Sequence, residues 1–537
     1  MIIHDHIIIG SGCTGSMAAQ TLVEAGVQVC MLDVGTEDKK YTSVIPEKDF
    51  ISIRKDEKEQ YKYLIGEDLE GIPFGEVSTG AQLTPPRKFL TALTEKFLKI
   101  ESETFHPMES LAMGGLGGGW GLGCCEFSTT ELEKVGLEPS AMSDAYKLVS
   151  KRIGINGEKD DASPYTIGDL DNIMPAQDLD EGSSLMMKRY LIKREKLNKH
   201  GFYLGRPALA LLTEDKGDRK KYQYRDMDFY SDKDKSGYRP AFNIEELRKK
   251  KNFQYIDSVL ALSFDEKNEY VEVRCINTNT NERVSFFCKK LILSPGVLGT
   301  ARIVLRSFDA QEKKLPIISN PYSYVPCIQT KMMGKADDGK KIGFAQLAMF
   351  YDKQKDNMDV AMASIYTYRS LMLFRIIKEA PLNFRDAKII MRYLLPSFVI
   401  MGIHHPEEGG ENKYIQLMKE RDSATGDKLM ATYKLNELEE MNVETREKKF
   451  IRAIRMLGCY AIRRIHPGHG SSIHYAGCLP FNDEEKKFTV SSSGKLNGTK
   501  NIFIADGSGF KYLPAKGITF SLMANAHLVA KNVLKNG

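Results

Sequence analysis

The sequence predicts an α/β fold in which a discontinuous parallel-sheet domain is interrupted by a second domain. Three observations favour this fold. The chain opens with a strand, a glycine-rich turn, a helix and a second strand; another glycine turn and helix follow several short strands near the middle; and the last segment again pairs a strand with a helix. The 537 residues are enough for roughly two to four structural units with sizeable cores.

The composition is that of an ordinary soluble globular protein. Hydrophobic residues make up 42% and charged residues 27%, which is far from the signature of disorder. Lysine and arginine exceed aspartate and glutamate by 76 to 71, giving a net charge of +5. So small a charge creates no field that favours nucleic acid, and we expect no nucleic-acid partner.

The cysteines and the N-terminus predict a cytoplasmic protein. The nine cysteines form neither a C-x-x-C pair nor a zinc-ligand spacing, and their number is odd, which favours reduced thiols. The opening MIIHDHIIIG lacks the positive region and the cleavage site of a signal peptide, and its apolar run is too short to cross a bilayer.

The N-terminal pattern predicts half of a Rossmann-like dinucleotide-binding fold. Apolar runs and glycines indicate a strand, a turn, a helix and a second strand over residues 6–9, 10–15, 16–25 and 27–33. The turn, GSGCTG, fits G-x-G-x-x-G in the required position between a strand and a helix. A glycine turn that binds nothing is the alternative interpretation.

Each glycine of this turn has an expected task. Gly10 permits the tight turn, Gly12 lets a pyrophosphate approach the backbone, and Gly15 allows the helix to pack closely on the strand. The N-terminus of the helix supplies the partial positive charge that attracts the anion. Asp33, at the end of the second strand, is expected to accept hydrogen bonds from ribose hydroxyls.

The rest of the chain divides by composition. We assign four segments to the nucleotide-binding domain, residues 1–36, 105–155, 252–315 and 461–537, and residues 316–460 to a substrate-binding domain. Residues 37–104 indicate a lid or excursion. The charge-rich segment 156–251 indicates an insertion, either solvated or part of an entrance, and charge runs favour the solvated interpretation.

Short apolar runs in the middle of the chain predict an antiparallel meander that leads into a final strand. The runs alternate apolar and polar residues over 258–264, 270–276, 284–288 and 290–293. Near the C-terminus, we expect a strand over 501–505 and a helix over about 518–534.

Four segments resemble the glucose-methanol-choline (GMC) oxidoreductase superfamily, particularly its sugar-oxidising branch of pyranose oxidase-like and glucose dehydrogenase-like enzymes. They are GSGCTG with LDVG, the cluster GGLGGGWG, LILSPGVLGTARIVLRS, and HYAGCLPF followed by IFIADGSGF and ITFSLMANA. The resemblance implies a two-domain flavoprotein of the GMC and p-hydroxybenzoate hydroxylase type. Its substrate domain would be a discontinuous α+β unit built on an antiparallel sheet, and ENKYIQL resembles a strand of that domain.

The resemblance implies FAD, with its pyrophosphate over the first loop and its flavin ring beside the second glycine cluster. The implied cofactor-binding residues are Gly10, Gly12, Thr14, Gly15, Asp33, Gly115, Gly118, Gly119, Trp120, Val259, Gly296, Asp506, Gly507 and Thr519. Some relatives carry a flavin-bonded histidine just before the tryptophan of the cluster. Here that residue is glycine, so FAD is expected to be noncovalent. Trp120 would either flank the flavin or serve in packing.

His474, in SSIHYAGCLPF, lies where the resemblance implies the active-site histidine. Hydride transfer to flavin N5 requires the neighbouring hydroxyl to lose its proton, and an imidazole with a pKa near ~6.5 suits that task. A structural role is the alternative. His466 and His469 lie close by in RRIHPGHG, but their spacing matches no familiar ligand set, and no metal is predicted.

The second polar residue that this family places further downstream, usually Asn or His, is missing. Its position corresponds to Ala515, with Lys516 beside it. Either Lys516 replaces the partner and stabilises an alkoxide or reduced flavin electrostatically, or it is an exposed loop lysine and the site works with one base.

Residues 368–401 combine long apolar residues with six basic ones and are too charged to span a membrane. Arg385, Lys388 and Arg392 share a helical face opposite Ile389 and Ile390. This pattern suits either an interfacial helix on anionic lipid or a helix that roofs the substrate pocket, which we favour. A peripheral contact with the inner face of a membrane would accompany the first alternative.

The sequence therefore predicts an FAD-dependent oxidoreductase that oxidises a hydroxyl of a carbohydrate or sugar conjugate, with His474 as the base. The substrate is expected to be a small alcohol or sugar, with nucleotide-linked and lipid-linked sugars as options, and the electron acceptor is not assigned. Two alternatives stay open. One is a flavin-fold binding or assembly protein without redox turnover, and the other is an FAD enzyme that reduces a ketone or C=C bond.

Overall fold

Two large sheets organise the chain, for which a computed structural model describes residues 2–71, 79, 83–335, 340–367 and 383–535. The first sheet contains the N-terminal strand and the second is antiparallel throughout. A large hydrophobic core surrounds the first sheet and a separate one lies behind the second.

The first sheet confirms the predicted strand–helix–strand opening. Its parallel part has the spatial order Phe253–Ile256, Val29–Leu32, Ile3–Ile9, Arg283–Leu293 and Ile502–Ile504. Val29–Leu32 and Ile502–Ile504 are wholly buried, and so are the ends Ile7–Ile9 and Leu291–Leu293 of the strands between them, as expected where helices cover both faces of a parallel sheet. The helix Cys13–Glu24 starts directly at the glycine turn and packs against the C-terminal helix Thr519–Lys535.

The predicted meander is present, with one difference. Strands Val259–Glu266 and Val271–Asn277 pair antiparallel and lead into Arg283–Leu293. The runs 284–288 and 290–293 are one continuous strand, because its first half pairs with the meander and its second half with the parallel strands. The helix Val297–Ser307 follows, as the glycine turn indicated.

The second sheet draws on segments that are distant in the sequence. Its spatial order is Cys459–Ala461, Tyr322–Gln329, Phe398–His404, Ala361–Tyr366, Leu347–Tyr351 and Phe202–Gly205. Helices Glu181–Lys199 and Glu437–Met456 cover the face away from the first sheet through the second core. Two of these strands lie in or beside segments that the sequence assigned to other units, so the second unit is not confined to 316–460.

Two sequence interpretations are corrected here. The segment 156–251 is not wholly solvated, because residues 201–212 are all buried and contribute an edge strand to the second sheet. The hairpin Lys413–Lys419 and Asp427–Tyr433, which contains KYIQL, is not in the second sheet. It forms a four-stranded sheet with Leu315–Pro316 and Ile100–Glu101, and its apolar face joins the core of the first sheet.

Three short two-stranded ladders lie outside the larger sheets, two of them antiparallel and the third parallel. The pair Ile318–Ser319 and Tyr475–Ala476 sets Ile318 opposite Ala476, and Glu407–Glu408 pairs with Tyr512–Leu513. The third joins Asn156–Gly157 to Met174–Pro175. The first two ladders hold the loops that carry the candidate site.

The remaining helices surround these sheets. The α-helices are Phe50–Asp56, Thr94–Phe97, Thr129–Val135, Pro139–Ile153, Pro240–Leu247 and Phe384–Leu394. The 3₁₀ turns are Pro85–Thr91, Gly115–Gly119, Ser163–Tyr165, Thr330–Met332, Leu395–Ser397 and Gly507–Gly509, and Lys62–Gly66 is a π-turn. In the part of the chain that the structure describes, every helix is too short or too polar to cross a membrane.

Much of the stretch 368–401 lies outside the described residues, which resume at 383. In the helix Phe384–Leu394, Ile389, Ile390 and Tyr393 are exposed. Among the residues of this helix whose side chains the structure describes, none lines the central cavity, and the favoured roofing role stays a prediction. The contact with a membrane stays a prediction.

Candidate active site

A cavity of about 570 Å³ lies between the two sheets. One wall, which we call the first wall, consists of the glycine turns and helix starts of the first sheet. The opposite wall, called the second wall, consists of side chains of the antiparallel sheet. The first wall includes most of the cofactor-binding residues that the sequence predicts, namely Gly10, Gly12, Thr14, Asp33, Gly115, Gly119, Trp120, Val259, Gly296, Asp506, Gly507 and Thr519.

The glycines of the first turn divide into two kinds. A Cβ at Gly15 would lie 1.9 Å from the carbonyl oxygen of Gly10, so this glycine is required for the helix to pack on the turn. A Cβ at Gly12 would meet nothing within 4 Å, and the same holds at Gly296. Both of these glycines line the cavity. The space beside them is therefore open to a group that approaches the backbone closely.

Asp33 lies at the end of the second strand and faces the cavity. Its carboxylate accepts hydrogen bonds from the hydroxyls of Ser11 and Tyr255, the latter at 2.9 Å. Both hydroxyls donate to Oδ2 of Asp33, and neither donates to Oδ1. Burial raises the pKa of Asp33 to about 6, while these hydrogen bonds oppose the rise. The group is therefore mainly a carboxylate at neutral pH.

The second glycine cluster lies against the first turn. A Cβ at Gly115, where φ is +55°, would come 3.3 Å from Cα of Gly12. Gly118 does not line the cavity, and a Cβ there would lie 2.7 Å from Leu90 in the segment 85–91. The cluster thus faces the cavity on one side and packs against residues of the predicted lid on the other.

A buried arginine that sequence reasoning missed holds this cluster in place. Arg239 Nη1 donates to the carbonyl oxygens of Trp120, at 2.6 Å, and Gly117, at 3.3 Å. Asp232 pairs with Arg239 and also with Arg87. No sequence signal separates these three residues from the other charges of their segments, because their partners are distant in the chain.

The C-terminal helix begins at the cavity. Thr519 is its first residue and lines the cavity together with Leu522 one turn later. The helix has no acidic residue in its first turn, so its partial positive charge is directed at the cavity without a neutralising side chain.

Asp506 also lines the cavity. It accepts hydrogen bonds from Thr300, at 2.6 Å, and from Ser508.

The first wall fits a dinucleotide cofactor such as FAD. Open space lies beside Gly12 and Gly296, two helix N-termini face the cavity, and the carboxylate of Asp33 lies at its edge. Ser294 Oγ is buried at this wall without a hydrogen-bond partner among the described residues. Buried polar atoms rarely lack a partner, and a bound group would supply one here.

His474 lies where the two walls meet, and its position is set by the short ladder described above. Because Ile318 pairs with Ala476 and Ser319 with Tyr475, Asn320 comes opposite His474. The preceding residue, Ile473, has φ of +60°, a conformation that β-branched residues rarely adopt. Such backbone geometry at a cavity-lining loop is typical of functional sites.

Asn320 fixes the tautomer of His474. The amide nitrogen of Asn320 donates to three backbone carbonyl oxygens, those of His405, Leu513 and Pro514, at 2.8, 3.3 and 3.1 Å. Its oxygen therefore faces His474 Nδ1, 3.0 Å away, and can only accept. Nδ1 must carry the proton, which leaves Nε2 with a lone pair.

Burial lowers the pKa of His474 to about 4. The imidazole is therefore neutral at physiological pH. A neutral imidazole with a fixed Nδ1–H and an unprotonated Nε2 is a proton acceptor.

A second histidine, which the sequence did not indicate, lies beside it on the second wall. His404 is the last residue of the strand Phe398–His404, and its ring stacks on that of His474 with centroids 5.2 Å apart and ring planes 23° apart. Burial, followed by the nearby His474, lowers the pKa of His404 well below its usual range. Only the pairing of distant strands brings these two histidines together.

Lys516 is not at the cavity. Its ammonium is fully buried and contacts Glu131 Oε2 at 2.6 Å and the carbonyl oxygen of Glu126 at 3.1 Å. The interpretation as an exposed loop lysine is therefore wrong. Lys516 does not line the cavity, and its electrostatic role in the reaction stays a prediction. The ion pair anchors the loop before the C-terminal helix to the helix Thr129–Val135.

The other two histidines of the loop lie apart from His474. His466 Nε2 is 3.6 Å from a carboxylate oxygen of Glu447, and the ring of His469 packs on Tyr433 with centroids 5.0 Å apart. Within the described residues, no group of three or more His, Cys, Asp or Glu side chains is arranged to hold a metal ion.

Comparisons with known proteins bear on the fold. No protein-family model matches the chain, and no curated protein matches it. Among solved structures, the chain is similar to the crystal structure of pyridoxine 4-oxidase from Mesorbium loti, with a TM-score of 0.57 and 12% sequence identity. The alignment covers 99% of each chain. The two proteins share a fold. At this identity the likeness concerns the whole architecture of two sheets and says nothing about individual side chains.

Proposed function

We propose that this protein is an FAD-dependent oxidoreductase of the GMC type that oxidises an alcohol. The observation that carries the proposal is the position of His474. His474 lines the cavity whose first wall suits a dinucleotide. Because its Nδ1 donates to Asn320, its Nε2 keeps a lone pair that can accept a proton. The fold shared with an enzyme named as an oxidase supports the same conclusion.

The proposed division of tasks follows from the two walls. When bound, FAD would accept the hydride from the carbinol carbon. Gly12, Gly296 and the helix starting at Cys13 would hold its pyrophosphate, and Asp33 its ribose. His474 Nε2 takes the hydroxyl proton, and Asn320 keeps the imidazole in the orientation and tautomer that allow this. The residue immediately before Trp120, Gly119, has no side chain for a covalent flavin link, so the proposed FAD is noncovalent.

The donor is proposed to be a small alcohol whose ring lies on the second wall. This wall carries Tyr322, Tyr324, Tyr366, Ser364 and Met362, and its aromatic and apolar surface suits a substrate that contains a ring. A sugar, as the sequence predicts, and an aromatic alcohol such as the pyridoxine in the name of the similar structure are both compatible with that chemistry.

The test is anaerobic reduction of the FAD-loaded protein. Pyridoxine, benzyl alcohol, D-glucose and a nucleotide sugar would be mixed in turn with the protein, and loss of the visible flavin absorbance would be followed. We expect at least one alcohol to bleach the flavin, and its product to be the carbonyl compound. If no alcohol bleaches the flavin, but a ketone or an activated C=C bond reoxidises the chemically reduced flavin under anaerobic conditions, the reductive direction would instead be supported.

A flavin that is bound tightly and reduced by none of these alcohols would contradict the proposal. It would favour the second interpretation from the sequence, a flavin-fold protein that binds or assembles without redox turnover. Failure to bind FAD at all would contradict both.

A further inference from the structure

The strand Phe398–His404 presents a histidine at the end of its cavity face. Residues of this strand alternate, so that Val399, Met401 and Ile403 enter the core behind the sheet, while Ile400 and His404 line the cavity. His404 is the only ionisable residue on the cavity face of this strand. Its register neighbours on the adjacent strands are Tyr322 and Met362.

The ring of His404 is held between other rings and not by a hydrogen bond. Tyr322 packs on it with centroids 4.6 Å apart, and His474 stacks on it at 5.2 Å. Stacked imidazoles do not direct their in-plane nitrogens at each other. Among the described residues, none is found to hydrogen-bond with this ring.

A structural histidine in the same protein behaves differently. His527, on the C-terminal helix, is buried and its Nδ1 lies 2.9 Å from the hydroxyl of Thr21. Desolvation lowers the pKa of both histidines, so burial does not distinguish them. What distinguishes His404 is that the residue lines the cavity beside the base His474, and that no hydrogen-bond partner of its ring is found among the described residues.

We propose that His404 is a second catalytic histidine, which hydrogen-bonds to the substrate hydroxyl from beside His474. This rests on the proposed alcohol oxidation. In that step the O–H bond breaks and its proton moves to His474 Nε2, the C–H bond breaks with its electron pair passing to oxidised FAD, and a C=O bond forms. His404 donates a hydrogen bond to the oxygen throughout, which stabilises the negative charge that develops there.

The test compares two replacements of one residue. His404→Phe keeps a stacking ring but removes both nitrogens, whereas His404→Gln keeps a donor of similar reach. In anaerobic stopped-flow reduction with the alcohol among pyridoxine, benzyl alcohol and D-glucose that bleaches the wild type fastest, we expect His404→Phe to be reduced about 10- to 100-fold more slowly. His404→Gln should recover most of that loss.

Three controls accompany these variants. FAD content and the melting temperature should match the wild type, since the ring of His404→Phe can keep the stacking contacts with Tyr322 and His474, and His527→Gln should be reduced at the wild-type rate. The dissociation constant of the alcohol, from perturbation of the oxidised flavin spectrum, should rise in His404→Phe and not in His404→Gln. Should His404→Phe not fold, His404→Leu takes its place.

The outcomes separate the two claims. Wild-type reduction and alcohol affinity in His404→Phe would overturn the role of His404, as would equal losses in His404→Phe and His404→Gln. A wild-type protein that no alcohol reduces would contradict the proposed function alone. In that case the dissociation constant of the alcohol tests the role of His404. The role would be overturned if the wild type and His404→Phe bind the alcohol equally well, or if neither binds it measurably.

Discussion

The two walls of the cavity are built from different parts of the polypeptide. The first wall is mainly backbone, with glycines where a Cβ would enter open space and helix N-termini that point at the cavity. The second wall is made of side chains on antiparallel strands that lie far apart in the sequence. A wall of backbone is specified by short contiguous motifs, whereas a wall of side chains is specified by strand register.

The largest expected effect tests the first wall. Gly12→Val should abolish FAD retention, because the new side chain would occupy the space of the pyrophosphate. The variant should still fold, since φ at Gly12 is −58° and its Cβ meets nothing within 4 Å. FAD content after purification and the circular dichroism spectrum would be measured.

Gly15→Ala is the matched comparison on the same turn. Its Cβ would lie 1.9 Å from Gly10 O, so we expect a loss of stability and not only of FAD. A folded Gly12→Val protein with stoichiometric flavin would show that the loop has another task.

The next effect lies where the walls meet. His474→Ala should keep its FAD and its fold, but its reduction by an alcohol should be about 100- to 10,000-fold slower, the usual range for a general base. Stopped-flow mixing under anaerobic conditions would measure this rate. Undiminished reduction would move the proton transfer to another group, and loss of flavin would make His474 structural.

Lys516 belongs to neither wall, so we expect its replacement to change stability and not the rate of flavin reduction. Lys516→Met leaves Glu131 buried without its cation, which should lower the free energy of unfolding by about 3–5 kcal/mol. The double variant with Glu131→Leu should recover part of this loss. Urea denaturation would measure both. A slow flavin reduction in a stable Lys516→Met protein would restore the electrostatic role predicted from the sequence.

A smaller effect on the first wall concerns the ribose. Asp33→Ala should weaken FAD by about 10- to 100-fold, which corresponds to a hydrogen bond to a charged group of about 1.5–3 kcal/mol. Fluorescence titration of the apoprotein with FAD would give the dissociation constant. Asp33→Asn retains acceptors for Ser11 and Tyr255 and serves as the control. Unchanged affinity in both would assign the ribose to another residue.

The smallest expected effect is that of pH on the rate of flavin reduction, which should hardly change. His474 must be neutral to accept a proton, and burial lowers its pKa to about 4, so the rate of reduction should stay level as the pH falls from 8 to about 5.5. An ordinary histidine would lose half of its neutral form near pH ~6.5. A fall in the rate around pH 6.5 would show that the base has the pKa of an ordinary histidine and would contradict the effect of burial on His474.

The first wall could be predicted largely from short motifs in the sequence. Gly10, Gly12 and Asp33 lie within one strand–turn–helix–strand unit, whose glycine spacing and apolar runs are local features. The same holds for the strand and helix near the C-terminus. Their meeting in one sheet follows because consecutive parallel strands with helical connections assemble in few ways.

The second wall and the partners of the base depend on long-range strand pairing, which the sequence does not reveal. Asn320, 154 residues away in the sequence, is brought to His474 by a two-residue ladder. His404 is brought to His474 by the strand pairing of the second sheet. Lys516, adjacent to the expected position of a partner, instead forms a buried ion pair. A one-residue change of register sends a side chain to the opposite face of its strand, so residues brought together by long-range pairing leave no local pattern in the sequence.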